Sequence, residues 1–321
     1  MANIAVTDGM DPVAVNNLIN AGHNVVEQHY TQEELTSGAL TDFDAVVIRS
    51  ATKLSSEVIE KSSNLKFIGR AGVGVDNIDL DAATKSGIVV CNTPQASTNS
   101  VVELTIGHLL ASCRHIPRGD RGLRDGLWEK KLLKGSELSG KRLGLIGFGR
   151  IAQGVAAVAL AMGMECHAYD PYLPTKIARK FECTMHDDVD SLFQLCTHIS
   201  IHCNLTDETH HLVNHERIVM MPTSAPNGVS CGNHIVNCAR GGIVDEDAVL
   251  NALNSGDLTS AALDVFEVEP ALENPLVQHP NFHGTPHIGA ATLEAQARIG
   301  EEMVTLLIDF FQGNRPHSAL N

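Results

Sequence analysis

LGLIGFGRIAQGVAAVALAMGMECHAYD, residues 143–170, decides how the rest of the chain is read. Leu143, Leu145 and Ile146 make a short apolar strand that runs into Gly147-Phe148-Gly149. In a turn between a parallel strand and a helix, the first glycine permits a tight bend and the second lets the backbone approach a pyrophosphate. Ile151, Val155, Val158, Ala159 and Met162 then recur at helical spacing. This predicts a helix that lays that face on a sheet and leaves its N-terminus open to phosphate. Ala152 takes the third fingerprint position, where one methyl group still allows close helix–strand packing. Asp170 closes the second strand 21 residues after Gly149, where a carboxylate accepts hydrogen bonds from a ribose diol. An acid there repels a 2'-phosphate, and Pro171 and Tyr172 supply no arginine to bind one, so the stretch predicts NAD rather than NADP. Strand, helix and acid together outweigh the plainer reading of a tight glycine turn.

The chain around this stretch has 321 residues, enough for two domains with sizeable cores. Its 43% hydrophobic and 19% charged residues fit an ordinary soluble protein. A formal net charge of -15 excludes a general nucleic-acid partner, because phosphate backbones need a basic surface. No basic segment leads into an apolar one at the N-terminus, and no apolar run is long enough for a membrane span, so no membrane partner and a cytoplasmic location are expected. The eight cysteines form no C-x-x-C pair and several sit in apolar runs, which predicts reduced, buried thiols and no metal.

Residues 3–93 alternate apolar runs (NIAVT, HNVVEQ, DAVVIRS, KFIGRAG, IVVCNTP) with helical composition at 11–21 and 54–62. A second series starts at Leu143 and continues through ECHAYD, HISIHC, HIVNCA and SAALDVF. Both read as parallel sheets covered by helices. Residues 97–114 read as a helix carrying the chain from one series to the other. Residues 116–140 are polar and glycine-punctuated around Trp128, either an arm on a partner subunit or a surface loop with one anchoring aromatic. A helix over 290–312 returns the chain to the first unit. The expected fold is α/β: two Rossmann-like, doubly wound parallel-sheet domains with an interdomain active-site cleft. Residues 1–98 plus 288–321 make a discontinuous, flavodoxin-like substrate-binding domain, and 99–287 an NAD-binding domain.

Three polar residues follow strand-like runs of the second series: Arg240 after HIVNCA, Glu269 beyond SAALDVFEVE and His287 after FHGTP. Doubly wound sheets bind ligands outside the carboxyl ends of their strands, the edge that carries the Gly147 turn. Hydride transfer from an alcohol needs a base for the hydroxyl proton, and an acid substrate needs a cation for its carboxylate. His287 suits the first task, Arg240 the second, and Glu269 can hold the imidazole in one tautomer. Singly, each has a plain reading as a surface residue; their shared place at strand ends, beside Gly241, Gly242, Pro270 and Pro286, makes them a set. Asp264, inside an apolar run, is a fourth candidate, since a buried carboxylate needs donors and a nicotinamide carboxamide would be one.

GLIGFGRIAQ, VNCARGGIVDEDAVL, ALDVFEVEP and TPHIGAATLEA, recurring in that order, resemble the signatures of the D-2-hydroxyacid dehydrogenase family, and the likeness spans essentially the whole chain. The resemblance implies NAD as cofactor and Arg240, Glu269 and His287 as the catalytic set. It also implies cofactor contacts from Gly147, Gly149, Arg150, Ile151, Asp170, His202, Cys238, Ala239 and Asp264. In the loop AGVG (71–74), Val73 and Gly74 offer backbone donors to the substrate carboxylate. VIRSATKLSSEVIE and FIGRAGVGVDNIDLDAAT look most like the phosphoglycerate dehydrogenase branch of the family, which implies Arg49 and Arg70 near the substrate and Arg114 reaching it from a neighbouring subunit. Three guanidiniums suit a 2-hydroxy acid that also carries phosphate. The expected activity is oxidation of D-3-phosphoglycerate by a homodimer or higher homo-oligomer, the rivals being reduction of hydroxypyruvate or glyoxylate and an NADH-sensing scaffold. Departures from the family pattern are the long stretch MPTSAPNGVSCGN (221–233) before VNCARGG, and Asn204 where a proline is usual. No regulatory domain is expected after Asn321.

Overall fold

The predicted apolar runs form strands in register, and the segments between them are helices with recognisable caps. A computed structural model describes residues 1–321. In chain order the first elements are β1 (Asn3–Val6), α1 (Pro12–Asn20), β2 (Asn24–Glu27), α2 (Gln32–Thr36), β3 (Ala45–Ile48), α3 (Ser56–Lys61), β4 (Phe67–Arg70), α4 (Leu80–Lys85) and β5 (Val89–Asn92). Asp11 starts α1 by accepting the Val13 and Ala14 amides ahead of Pro12, and Thr31 and Glu34 close a capping box on α2. The five strands are parallel in the order β2-β1-β3-β4-β5, with Ile48 of β3 opposite Arg70 of β4. This is the flavodoxin-like order, whose direction reverses between β1 and β3.

The second series begins with α5 (Thr98–Cys113) and α6 (Ile116–Arg124), then β6 (Arg142–Ile146), α7 (Arg150–Ala161), β7 (Glu165–Tyr169), α8 (Thr175–Lys180) and β8 (Thr184–His186). It continues with α9 (Asp190–Leu195), β9 (His198–Ile201), α10 (His215–Ile218), β10 (His234–Asn237), α11 (Glu246–Ser255), β11 (Ser260–Leu263) and β12 (Phe282–Gly284). The seven strands are parallel in the order β12-β11-β10-β9-β6-β7-β8 and reverse direction between β6 and β9. The inner strands β9, β10 and β11 are buried along their whole length, as a sheet covered on both faces requires. The last helix, α12 (Leu293–Phe311), buries Ile299, Met303, Leu306 and Leu307 with the first sheet.

The chain divides into two units, Met1–Thr98 with Ala290–Asn321 and Asn99–Gly289. The second crossing falls at Ala290 rather than 288, because the amides of Ile288 and Gly289 are both bound by Asp264 of the second unit. No helix is long and apolar enough to cross a membrane. All eight cysteines are free thiols, and seven of them are buried.

Two local expectations need correction. The buried face of α7 is Ala152, Val155, Ala156 and Ala159, while Val158 is 38% exposed and Ile151 and Met162 are only partly buried. Alanines let the helix sit close to its neighbours: a side chain at Gly154 would come within 2.7 Å of Val102 on α5. A face of small residues is therefore the deeper one, and a count of large apolar residues points about one position away. Residues 116–124 form the helix α6 rather than open loop, and Trp128 beyond it, 83% exposed, anchors nothing in its own chain.

Gly300 on α12 allows a close approach to α1, where an added Cβ would lie 2.7 Å from the Ala14 methyl. Overpacking costs ~1–3 kcal/mol, whereas alanine in a helix interior gains only ~1 kcal/mol over glycine. Gly300→Ala should therefore lower the urea midpoint of the first unit by an amount equivalent to up to about 2 kcal/mol. A midpoint at or above that of the unmodified protein would show that α1 and α12 can separate freely.

Candidate active site

At the carboxyl end of β6 the chain turns on Gly147, whose φ is 81° and whose added Cβ would meet the Cys203 backbone nitrogen at 2.8 Å. The Gly147 amide donates to the Tyr169 carbonyl at 2.8 Å, and the His202 amide donates to Ile146 at 2.7 Å, which fixes the turn against both flanking strands. The fold thus requires glycine at 147. Gly149 differs, since a Cβ there would meet nothing. No side chain caps α7 at Gly149 and its first turn holds no acid, so the first amides of the helix are left to an external acceptor. Asp170 accepts the Phe148 amide on Oδ2 at 2.8 Å and the Tyr172 amide on Oδ1 at 3.0 Å, bracing the turn while keeping lone pairs open. Arg150 is exposed and Ile151 half-buried in that first turn. Open amides, an open face at Gly149 and an acid beside them fit the pyrophosphate and ribose of NAD.

Beyond β10 and β11 on the same edge, the three predicted polar residues are held by buried partners. Asn237 accepts the Ala239 amide at 2.9 Å and donates to the Arg240 carbonyl at 2.8 Å, which sets the loop carrying Arg240. Gly241 brings this loop onto the next one: a Cβ there would lie 1.8 Å from the Phe266 carbonyl oxygen. Glu269 Oε1 accepts the Phe266 amide at 3.1 Å, and Oε2 lies 2.9 Å from His287 Nδ1. Burial pushes the Glu269 carboxyl up, but the His287 hydrogen bond and charge, the Phe266 amide and the Arg240 guanidinium together outweigh it and hold the group below its ordinary value. With Nδ1 on the carboxylate, His287 keeps Nε2 for another partner.

Asp264 lies one residue past the end of β11, not inside the strand, and is 1% exposed. Its donors belong to the loop that carries His287. Oδ1 accepts the Thr285 hydroxyl at 2.6 Å and the Ile288 amide at 2.8 Å, Oδ2 accepts the Gly289 amide at 2.8 Å, and its carbonyl accepts the His287 amide at 2.8 Å. His287 itself stands at φ 54°, a left-handed conformation these bonds impose. His108 supports Thr285 from behind, with Nε2 3.1 Å from the hydroxyl. His202, with Nε2 2.9 Å from the Ser200 hydroxyl, is pushed down to about 3 by burial, and the Cys238 thiol is pushed up to about 12. One contributes a neutral ring and the other an inert thiol, and Ala239 is half-buried beside them.

In the first unit, Arg49 and Arg70 stand at the carboxyl ends of adjacent strands. Asp8 accepts the Arg49 amide at 2.7 Å, the Thr52 amide at 3.0 Å and the Thr52 hydroxyl at 2.7 Å; Asn77 donates to the carbonyls of Arg49 and Thr52, both at 2.6 Å. The Arg70 guanidinium donates to the Ala71 carbonyl at 3.2 Å and lies over Gly72, where a Cβ would come within 1.6 Å of Nη1. Asn92 holds the Val73 carbonyl at 2.6 Å and Thr93 the Gly72 carbonyl at 3.0 Å, while the amides of Val73 and Gly74 donate to no protein acceptor. Arg114 is not brought to this chemistry within its own chain. It follows Cys113, whose thiol touches His198 at the start of β9, so it stands at the amino end of strands whose carboxyl ends carry Arg240 and His287. The sequence reading missed Asp8, Asn237 and Thr285, each a polar residue at or just beyond a strand end, and Asn77 in the loop before α4.

Residues 106–289 match the family described as D-isomer specific 2-hydroxyacid dehydrogenase, NAD binding domain. The chain belongs to the D-isomer specific 2-hydroxyacid dehydrogenase family. It is 44% identical over its full length to a D-3-phosphoglycerate dehydrogenase of Methanocaldococcus jannaschii, of which it covers 60%. It is 45% identical to a hydroxypyruvate reductase of Thermotoga maritima, over 94% of this chain and 95% of that one. The NAD+-bound 3-phosphoglycerate dehydrogenase of Entamoeba histolytica superposes with a TM-score of 0.82 at 30% identity, over 100% of this chain and 98% of that one. The chain thus spans about 60% of the length of the first phosphoglycerate dehydrogenases it matches.

The depressed Glu269 carboxyl gives a pH dependence with a definite sign. A carboxylate whose folded pKa lies below its unfolded one contributes stability that is present above the unfolded value, 4.5, and lost as pH falls through the folded value. Glu269→Gln should therefore be less stable than the unmodified protein at neutral pH, with the gap narrowing as pH drops below 4.5 in thermal melts. A gap independent of pH would mean that charge is not what holds Glu269 in place.

Proposed function

We propose that the chain is an NAD-dependent dehydrogenase that oxidises D-3-phosphoglycerate to 3-phosphohydroxypyruvate. The observation that carries the chemistry is the 2.9 Å His287–Glu269 pair beside the Arg240 loop, on the sheet edge that holds the open Gly149 turn. NAD held at the Gly149 turn would supply the acceptor for a hydride from the substrate C2. His287 Nε2 takes the hydroxyl proton, and Glu269 on Nδ1 stabilises the imidazolium that results. Arg240 binds the carboxylate and polarises the developing carbonyl. The Val73 and Gly74 amides are the remaining carboxylate donors, and Arg49 and Arg70 are the cations for a phosphate. Gly147, Gly149, Arg150, Ile151, Asp170, His202, Cys238 and Ala239 line the cofactor, and Asp264 fixes the loop that presents His287. The exposed Trp128 suits burial against a second copy in a homodimer, and Arg114 would enter a site only from such a copy.

The second reading, reduction of hydroxypyruvate or a similar small keto acid, is favoured by the Thermotoga maritima relative, 45% identical over 306 residues. The same His287, Glu269 and Arg240 serve it, with no need for a phosphate site.

His287→Gln should lower turnover about 100-fold or more while NADH still binds, the usual scale for a general acid–base group. Full turnover would remove His287 from the mechanism. A panel of D-2-hydroxy acids and their keto forms, with and without phosphate, separates the two substrates. Arg49→Ala and Arg70→Ala should each weaken phosphoglycerate by at least about 10-fold in kcat/KM and leave glyoxylate within about 3-fold, since each loses a charge-assisted contact of ~1.5–3 kcal/mol to phosphate alone. Equal losses on both substrates would favour the small keto acid.

A further inference from the structure

Where α5 ends and α6 begins, beside the starts of β11 and β12, the second unit holds a cavity of about 20 Å³. Ser112, His115, Arg118, Arg121 and His283 are on its wall, and no aspartate or glutamate is. In a chain with a formal net charge of -15, a wall with two guanidiniums and no acid stands apart. The one acid of α6, Asp120, is engaged elsewhere, its Oδ2 accepting from Arg124 Nε at 2.8 Å.

Two polar atoms of the wall are left without a partner. Ser112 is 3% exposed and its hydroxyl makes no hydrogen bond, and the buried Nε2 of His283 makes none either. A buried polar group left unpaired is costly, and each such group calls for a partner. Burial, then the His108 ring and the Arg121 charge, push His283 down to about 4, so its ring is neutral and donates through Nε2 in the tautomer that carries the proton there.

The helix that begins at the cavity adds donors of its own. His115 enters α6 at φ 53°, no side chain caps the helix and its first turn holds no acid, so the Ile116 and Arg118 amides have no partner within the helix. Such an N-terminus favours negative charge. The arginines are tethered at the start of β12 but not used up. Arg121 Nη2 donates to the Pro280 carbonyl at 3.0 Å and Arg118 Nη1 reaches Asn281 Oδ1 at 3.5 Å, which leaves most of the five donors of each guanidinium.

Size selects among anions. One water-sized sphere needs about 10–15 Å³, so this cavity takes a single monatomic ion and has no room for the four oxygens of phosphate or sulfate. We propose that the cavity is a chloride site, the ion accepting from the Ser112 hydroxyl, His283 Nε2, Arg118 and Arg121 at the start of α6. It ties the α5–α6 junction to the start of β12, at the sheet end opposite Arg240 and His287, and its role is structural.

The test melts the full chain in NaCl and in sodium gluconate at equal ionic strength, gluconate being too large for the cavity. Expected is a melting temperature about 2 °C or more higher in chloride, with a rise that saturates. Arg49 and Arg70 can also gather anions, so variants locate the effect. Ser112→Ala should melt no lower than the unmodified protein in gluconate, because the unpaired hydroxyl is gone, and should gain less from chloride. The Arg118→Gln, Arg121→Gln double variant should lose the difference between the two salts. A crystal of the unmodified protein soaked in NaBr should show anomalous scattering between Ser112 Oγ and His283 Nε2. Melting that follows ionic strength alone overturns the site, and so does a chloride effect that survives the double variant. Bromide-soaked crystals with only a water in the cavity overturn it as well.

Discussion

The buried carboxylate of Asp264 is the constraint on which the sheet edge carrying His287 depends. Withdrawing a carboxylate from water costs several kcal/mol, and it persists only where donors converge on it. Here a hydroxyl and two amides do so, all from residues 285–289. Hydrogen bonds to a charged acceptor contribute ~1.5–3 kcal/mol each, so three of them match the cost of burial and fix the loop as they do so. The left-handed backbone of His287 follows from that fixation, since a lone non-glycine residue does not hold such a conformation unaided. A single acid at the end of β11 thereby sets the position of a histidine 23 residues further along the chain.

The same device recurs wherever a loop leaves the carboxyl end of a strand. Asn237 ties the Arg240 loop, Asp170 the glycine turn, and Asp8 with Asn77 the Arg49 loop. In each case a short polar side chain satisfies the backbone of its own or a neighbouring loop and so fixes where that loop runs. Gly241 adds the steric counterpart, letting the Arg240 loop lie against the Phe266 carbonyl that any larger residue would strike. Rigid positioning of a few groups is what hydride transfer asks of a protein, because the redox chemistry belongs to the cofactor.

The two sheets were legible in the sequence because buried parallel strands appear as unbroken apolar runs, and the glycine turn because its spacing is dictated by phosphate geometry. Arg240, Glu269 and His287 could be named because each follows such a run. The buried face of α7 was misplaced in part, since Ala152 and Ala156 pack more tightly than the larger Val158 yet carry a weaker hydrophobic signal. Asp8, Asn77, Asn237 and Thr285 stayed hidden for another reason. Their roles are fixed by partners 2 to 177 residues away, and a short polar residue in a loop looks the same whether it braces that loop or faces water.

The His198–His234 pair belongs to that hidden class as well. Histidines scattered through a sequence read as surface or satisfied core residues, and only the parallel register of β9 and β10 sets these two side by side. The register also separates the two ends of the sheet by function. Ligand-binding loops gather at the carboxyl ends, where the helix N-termini point, so the amino ends are free to carry residues that serve stability alone. A polar cluster buried there costs free energy unless something satisfies it. The hydroxyls of Thr197 and Ser260 satisfy one nitrogen of each ring, and the Cys113 thiol and the Cys231 carbonyl satisfy the other.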